Sequence, residues 1–346
     1  MPEADNMMSD AGLIRVEQHE GFRVAYILNS KDSTVVDATF VLVDKNSALP
    51  DSLPSGTLIR TPLDNIVAFS SVLAGALEEL GKVDIVKGVV DASYFSQDAI
   101  KEGLNSGSIV DLGASSGPSL EKIAALQPEA ILLNYYDGMD VKGIDKSGVP
   151  LIGMTDNLER DPVGRAEWIR FIGMLTGAEE KADSIFRSVK KSYTRLKDMA
   201  SSFSRRPKIL TENMYQGVWY VPGGESYQAR IISDAGGEYL WKDDKSTGSI
   251  GLSFEEVISK GKAADIWLLK LYGVTLDKNT LLSMDSRYRF FDTVDKGGVF
   301  YSDTSVSPLF EEFPYHPDRL LRDYILIFHP EAKNLGSMRY FKPMDQ

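Results

Sequence analysis

Groups able to do covalent or redox chemistry are scarce in this chain, and that scarcity points toward binding. Cysteine is absent, which excludes a disulfide framework, a thiolate nucleophile and a Cys-based metal site. There are 3 histidines, His19, His316 and His329, in unrelated settings, so a metal site would need all of them to converge. No HExxH pair, Cys–His pair or phosphate-binding loop is present. Ser226, in Gly223-Gly224-Glu225-Ser226-Tyr227, is not in a nucleophile-elbow pattern and has no obvious base. Gly223-Gly224 and Gly236-Gly237 lack the GxGxxG spacing of a dinucleotide site. What the sequence does offer is aromatic side chains with polar tips. Tyr94 and Phe95 follow a strand ending at Asp91, and Tyr135 and Tyr136 follow one ending near Asn134. Tyr215, Trp219, Tyr220 and Tyr227 surround a Pro-Gly-Gly loop. In open α/β sheets ligands bind beyond the carboxyl ends of strands, and tyrosines there suit a flat or amphipathic ligand. Any one of these rings is more readily explained as packing; the group carries the binding expectation. Arg165 reads first as the partner of an ion pair with Glu167. Its forked donors make contact with an anionic ligand the alternative.

The elements that would position these residues come in two similar sets. Ser119-Leu120-Glu121-Lys122-Ile123 leads into Ala130-Ile131-Leu132-Leu133, and Ser253-Phe254-Glu255-Glu256-Val257 leads into Asp265-Ile266-Trp267-Leu268-Leu269. Each copy reads as a Ser-capped helix with Glu in its first turn, followed by a buried strand. Glu at that place also simply favours the helix dipole, so the repetition carries the weight rather than either copy. Two copies so far apart predict two α/β lobes with a cleft between them. Strands alternating with helices from Leu58 onward predict mainly parallel sheets with covered faces.

In detail, the pattern predicts a helix over 65–80 ending at Gly81 and a strand over 83–90. It predicts a helix over 120–126 stopped by Pro128, and strands over 130–134 and 149–154. Asp161-Pro162 opens a helix that ends near Gly177. A second helix over 178–202 follows, roughly 38 Å long at 1.5 Å per residue, a rigid strut between lobes. Beyond it come strands over 208–212, 266–271 and 298–301, and helices over 227–235, 254–260 and 317–328. The organisation expected is an N-terminal β extension over 1–57 with a hairpin at 22–43, a lobe over 58–177, a connecting helix over 178–204 and a lobe over 205–346.

The 346 residues allow two full cores, with 43% hydrophobic and 25% charged residues typical of a globular protein. A net charge of −12 without a basic run argues against nucleic acid. No apolar run is long enough to span a bilayer, and Met1 to Asp10 has no signal-peptide core. The reading is then either a cytoplasmic protein or a mature form shown without its export segment.

Taken in order, further motifs resemble the substrate-binding proteins of ABC importers for iron–siderophores, haem and cobalamin. They are Arg60-Thr61-Pro62, Leu80-Gly81 with Val86-Lys87-Gly88-Val89, the Ser119 segment with Gln127-Pro128-Glu129-Ala130, and Gly148-Val149-Pro150. They continue through Val221-Pro222-Gly223-Gly224-Glu225-Ser226-Tyr227, Asp234-Ala235-Gly236-Gly237-Glu238-Tyr239, the Ser253 segment and His329-Pro330-Glu331. The match covers roughly residues 58–330. The stretch from Leu158 to Ile169 and the N-terminal hairpin resemble a branch common in Bacteroidetes-type bacteria.

The resemblance implies two Rossmann-like α/β lobes bridged by one long helix, with the N-terminal hairpin added. It implies a monomeric, non-enzymatic protein without cofactor or resident metal. The cargo would be an iron–siderophore held by Tyr94, Tyr135, Tyr136, Arg165, Tyr215, Trp219, Ser226 and Tyr227, with cobalamin and then haem as alternatives. Glu121 and Glu255 match the carboxylates that dock such proteins onto arginines of the permease, which works with an ATPase in the inner membrane. Periplasmic location, with lipid anchoring of the precursor, is implied in the same way. Rival readings are a metal-cluster enzyme on the same plan and a surface receptor without an importer.

Overall fold

The structure, a computed structural model, describes residues 5–135 and 143–345. The chain divides into two compact units. The first comprises residues 1–159, 163–188 and 310–315, and the second residues 160–162, 189–309 and 316–346.

The first unit begins with β1 (Ile14–His19), β2 (Phe22–Leu28), β3 (Val36–Asp44) and β4 (Thr57–Thr61). The first three pair antiparallel and β4 joins β3 in parallel, so this small sheet crosses residue 57 without a break. The hairpin read at 22–43 is β2–β3; β1 was not legible as a strand.

The parallel sheet follows: β5 (Ile66–Ala68), β6 (Val86–Val89), β7 (Val110–Asp111), β8 (Ala130–Asn134) and β9 (Leu151–Met154), in the order β7-β6-β5-β8-β9. Helices α1 (Ser71–Leu80), α2 (Asp98–Ser106) and α3 (Leu120–Leu126) connect its strands. Here the structure corrects two expectations. Residues 65–80 are not one helix: Ile66 and Val67, β-branched and wholly buried, form the central strand, and Ser70 then caps α1 by accepting from Val72 N at 3.2 Å. Residues 83–85 form a tight helical turn before β6 rather than its start.

Two helices follow without a strand between them, α4 (Pro162–Thr176) and α5 (Glu179–Ser201). α4 buries Ala166, Trp168, Ile169, Phe171, Ile172 and Leu175 completely, the pattern of a helix enclosed on most sides. α5 is amphipathic over 23 residues, with Ala182, Phe186, Val189, Tyr193 and Leu196 buried at helical spacing. The division between units falls inside it, after Ser188.

The second unit has its own sheet, from β10 (Lys208–Thr211), β13 (Glu238–Tyr239), β15 (Ile266–Leu271), β16 (Val299–Asp303) and β17 (Lys342–Pro343), ordered β13-β10-β15-β16-β17. Only β17 is antiparallel. A second, antiparallel sheet joins β11 (Met214–Tyr215), β12 (Val218–Pro222) and β14 (Ser249–Leu252). The helices are α6 (Tyr227–Asp234), α7 (Phe254–Gly261), α8 (Lys278–Met284), α9 (Asp292–Lys296) and α11 (Pro317–Phe328), while the short α10 (Leu309–Glu312) lies at the division between units. α6 contacts α11, and the segments Asp234-Ala235-Gly236-Gly237 and His329-Pro330-Glu331 meet there. His329 is fully buried, stacked on Phe203 at 4.2 Å, with Nε2 2.9 Å from the Ala235 carbonyl. That bond makes Nε2 the protonated nitrogen and gives the histidine a structural task.

Candidate functional site

Each unit presents the carboxyl ends of its parallel strands, and the chemistry of each edge follows from the residues just beyond them. In the first unit the chain leaves β6 through Asp91, which adopts a left-handed conformation (φ 48°). Asp91 N donates to the Gly113 carbonyl at 2.8 Å, and its carboxylate accepts from Ser115 N at 3.2 Å. A non-glycine residue held in this region is a point of local strain, of the kind found at binding edges. The turn carries Tyr94 outward, 67% exposed.

Tyr135 continues β8, its N–H donating to the Met154 carbonyl at 2.8 Å. Its ring lies against Gly153, where a Cβ would fall 1.8 Å from it, so only glycine permits this ring position. Burial pushes its phenol upward in pKa. Tyr136 lies outside the described residues.

Beyond β9, Asp156 is completely buried. It accepts from Arg165 Nε at 3.0 Å and from the Asn134 side-chain amide. The Arg165 guanidinium sits 5.2 Å from the Phe313 ring centroid. Tyr315 is buried beside the pair, and burial raises its phenol well above the ordinary range. Arg165 therefore serves a buried ion pair with Asp156, not with Glu167. Its charge is already committed inside the unit, because a guanidinium there needs a carboxylate partner.

In the second unit the chain leaves β10 through Glu212, again left-handed (φ 62°). Its carboxylate pairs with Lys270, whose ammonium also donates to Gln228 Oε1 at 2.9 Å. Gln216 (φ 49°) and Gly217 (φ 83°) make the tight β11–β12 turn, a conformation matched to hairpin twist. Tyr215 stands on that hairpin 65% exposed, and Tyr220 50%. Two residues that sequence reasoning missed lie beyond neighbouring strands: Tyr272 after β15, 67% exposed, and Val306 after β16, 81% exposed. For Tyr272 the signal was available, because it directly follows the apolar strand β15.

Three expected ligand contacts have structural tasks instead. Trp219 is fully buried, donates from Nε1 to the Thr211 carbonyl at 2.9 Å and lies 5.7 Å from the rings of Trp267, Tyr288 and Phe291. Alternation along β12 turns it inward, whereas Tyr220 faces out. Ser226 caps α6, accepting from Ala229 N at 3.2 Å and donating to the Gly223 carbonyl at 2.7 Å. Tyr227 is 8% exposed and buries its ring in the first turn of the same helix.

The two first-turn glutamates are both exposed. Glu121 follows the Ser119 cap of α3. Glu255 precedes Glu256, which closes a reciprocal capping box with Ser253 at the start of α7. Capping is thus done by the neighbour, and Glu255 is not needed for it.

The stretch 158–169 fastens the N-terminus. Glu167, fully buried, accepts from the backbone N–H groups of Ser9 (2.9 Å), Asp10 (2.7 Å) and Ala11 (2.8 Å), and from Arg170 at 2.8 Å. Glu159 accepts from Gly12 N (3.0 Å), Leu13 N (2.9 Å) and Trp168 Nε1 (2.9 Å). A Cβ on Gly164 would lie 2.6 Å from the Asp10 carbonyl, so glycine is required for this approach.

Among the described residues no group of His, Asp and Glu is arranged to hold a metal ion. His19 stacks on Phe22, and His316 is buried ahead of α11 with Nδ1 3.8 Å from Asp318.

Comparison with known families decides the class. The periplasmic binding protein family profile matches residues 66–283. The chain belongs to this family. Its members are solute-binding proteins of ABC transporters, not enzymes, and they act outside the cytoplasm with a membrane permease as partner. Among relatives, an uncharacterized lipoprotein of Methanocaldococcus jannaschii is 27% identical over 322 residues, covering 87% of this chain and 76% of its own. A periplasmic heme binding protein from Pseudomonas aeruginosa shares the fold with a TM-score of 0.64 at 16% identity, over 82% of this chain and 99% of that one. An ABC-type Fe3+-hydroxamate transport system structure from Saccharomonospora viridis does so with a TM-score of 0.59 at 18% identity, over 78% and 94%.

Proposed function

We propose that this periplasmic binding protein captures an iron–siderophore complex and delivers it to the permease and ATPase of an ABC importer. The observation that carries the reading is a set of outward tyrosines beyond strand ends. Tyr94, Tyr215 and Tyr272 are 67%, 65% and 67% exposed, and Tyr135 stands half-buried beside Gly153. A single exposed ring needs no explanation, but in each unit rings stand near the carboxyl ends of the parallel strands, Tyr94 and Tyr135 in the first and Tyr215 and Tyr272 in the second, and such rings offer stacking faces and hydroxyl tips to an amphipathic chelate. The names of solved relatives, one for haem and one for ferric hydroxamate, support a metal chelate as cargo. The lipoprotein relative supports a lipid-anchored precursor.

Native mass spectrometry with ferrioxamine E, dicyanocobinamide and haemin in parallel tests this reading. A saturable adduct with ferrioxamine E is the expected result. An adduct with either of the others would replace the cargo by a corrinoid or haem. No adduct with any of them would sink chelate capture.

Glu121 and Glu255 are proposed to dock onto basic groups of the permease. Exposed ion pairs are individually weak, but two of them fix orientation and steer an acidic protein onto a basic partner. The double variant Glu121→Ala, Glu255→Ala should bind cargo as before and lose uptake in cells. Normal uptake would show that docking lies elsewhere.

A further inference from the structure

Two cavities differ in the charge they present. In the first unit, one of about 380 Å³ lies between the β2–β3 hairpin and the residues after β9; Lys31 and Asp37 balance each other in its lining, so its charge selects nothing. In the second unit, one of about 450 Å³ lies beside α6 and the end of β13, a volume within the range of small-ligand pockets. Arg160, Arg230 and Lys242 line it with one carboxylate, Glu225. Across the whole chain acidic residues outnumber basic ones, 50 to 38, so this lining runs against the composition.

The three cations come from separate parts of the chain, and their carboxylate partners are overcommitted. Arg160 Nη1 lies 3.1 Å from Glu225, which also serves Lys245 at 3.4 Å. Arg230 Nε lies 3.4 Å from Asp234, which also serves Lys197 at 3.2 Å and accepts from the Tyr193 hydroxyl at 2.9 Å. Lys242 Nζ lies 3.0 Å from Glu238. The neighbouring Asp244 spends its Oδ1 on Ser246 N at 2.8 Å. A guanidinium carries five N–H donors, and one carboxylate contact through one nitrogen does not exhaust them. The side chains of Arg160, Arg230 and Lys242 are each more than half exposed, so these pairs are solvated and individually worth little. An incoming anion displaces no strong interaction. Ser233, exposed one turn along α6 from Arg230, adds a hydroxyl to the same wall.

We infer that this cavity binds a phosphate group. A tetrahedral oxyanion with several acceptor oxygens takes bonds from two guanidinium forks and an ammonium at once, whereas a planar carboxylate has two oxygens to offer. Arg160 and Arg230 grip the oxygens, Lys242 supplies a point charge and Ser233 a hydroxyl. A phospholipid headgroup and free phosphate present the same chemistry here, and the test separates them. The site goes beyond cargo capture: Arg160, Arg230 and Lys242 are not among the strand-end tyrosines, so its failure leaves that reading untouched.

The test compares the full chain with Arg230→Gln, Lys242→Gln and a control, Lys278→Gln, which removes an exposed lysine paired with Asp295 outside this lining. Circular dichroism melting checks that all four proteins are folded. Each is titrated calorimetrically with inorganic phosphate at fixed ionic strength, and sedimented with phosphatidylglycerol vesicles, phosphatidylcholine vesicles serving as the reference. The expected result is saturable binding by wild type and control, roughly tenfold weaker in the two cavity variants and weakened further by added sodium chloride. Sedimentation with phosphatidylglycerol that both cavity variants lose assigns the phosphate to a lipid headgroup. Titration by phosphate without sedimentation assigns it to the free ion. Absence of both, or equal behaviour of all four proteins, would overturn the phosphate site.

Discussion

Two regions built from the same short stretch of chain treat buried polarity in opposite ways. At the N-terminal clasp, Glu159 and Glu167 each accept several hydrogen bonds, from backbone N–H groups of residues 9–13 and from Trp168 and Arg170. At the hairpin cavity, a few residues upstream, the Thr155 hydroxyl is buried and has no partner among the described residues. The clasp is finished by the protein itself, as buried charge must be. Saturated buried polarity thus marks a fastening, whereas the Thr155 hydroxyl, closed off from solvent as well, is a cost that the fold carries.

The contrast can be broken by substitution. The largest effect belongs to Asp156→Ala, which strands the Arg165 guanidinium in the interior. Loss of one partner of a buried pair costs about 3–5 kcal/mol, so this variant should unfold at clearly lower urea concentration or fail to accumulate folded. Glu167→Ala comes next. It removes the acceptor of three backbone donors at Ser9, Asp10 and Ala11, at about 1 kcal/mol each, and the freed strap should exchange its amide hydrogens faster and become a protease site. Unchanged exchange over residues 9–13 would remove the clasp from the account.

Glu159 sharpens the comparison through pH. Burial raises its carboxyl pKa, with the nearby Asp156 charge adding to the rise and the hydrogen bonds from Trp168, Gly12 and Leu13 opposing it. A raised carboxyl contributes stability that is full below its unfolded pKa of about 4.3 and is lost as pH climbs through the folded value. Glu159→Gln does not titrate. Its deficit relative to wild type should therefore be larger at pH 4 than at pH 7, readable as the difference in urea midpoints. A deficit that grows with pH would reverse the assignment. Smallest is Thr155→Val: since no described protein group bonds its hydroxyl, stability should change by less than about 0.5 kcal/mol. A large loss would mean that the hydroxyl has a partner in the folded protein.

Much of the architecture was legible from local pattern. Ile266–Leu271 and Pro317–Phe328 lie where apolar runs and periodicity put them, and both Ser-capped helices carry Glu in the first turn. The reading failed at Ile66–Ala68, where a short buried strand runs directly into a helix and apolar residues cannot tell one from the other. The site was less legible. Tyr94 and Tyr215 face outward, yet Trp219, four residues from Tyr215, is core. Composition made the aromatic cluster visible, but the side each ring takes depends on strand register, and β11 and β12 are too short to declare it.

The sequence by itself determined the alternation of strands and helices, the two-unit repeat, the caps and the absence of thiol chemistry, because these follow from propensity, periodicity and composition within a few residues. Only the tertiary structure decided that Glu167 holds Ser9, 158 positions away, that Glu159 holds Leu13 across 146, and that the β2–β3 hairpin and the residues after β9 line one cavity. Partners at such separations leave no periodic trace in the chain. They are chosen by which buried polar groups meet when the apolar faces pack.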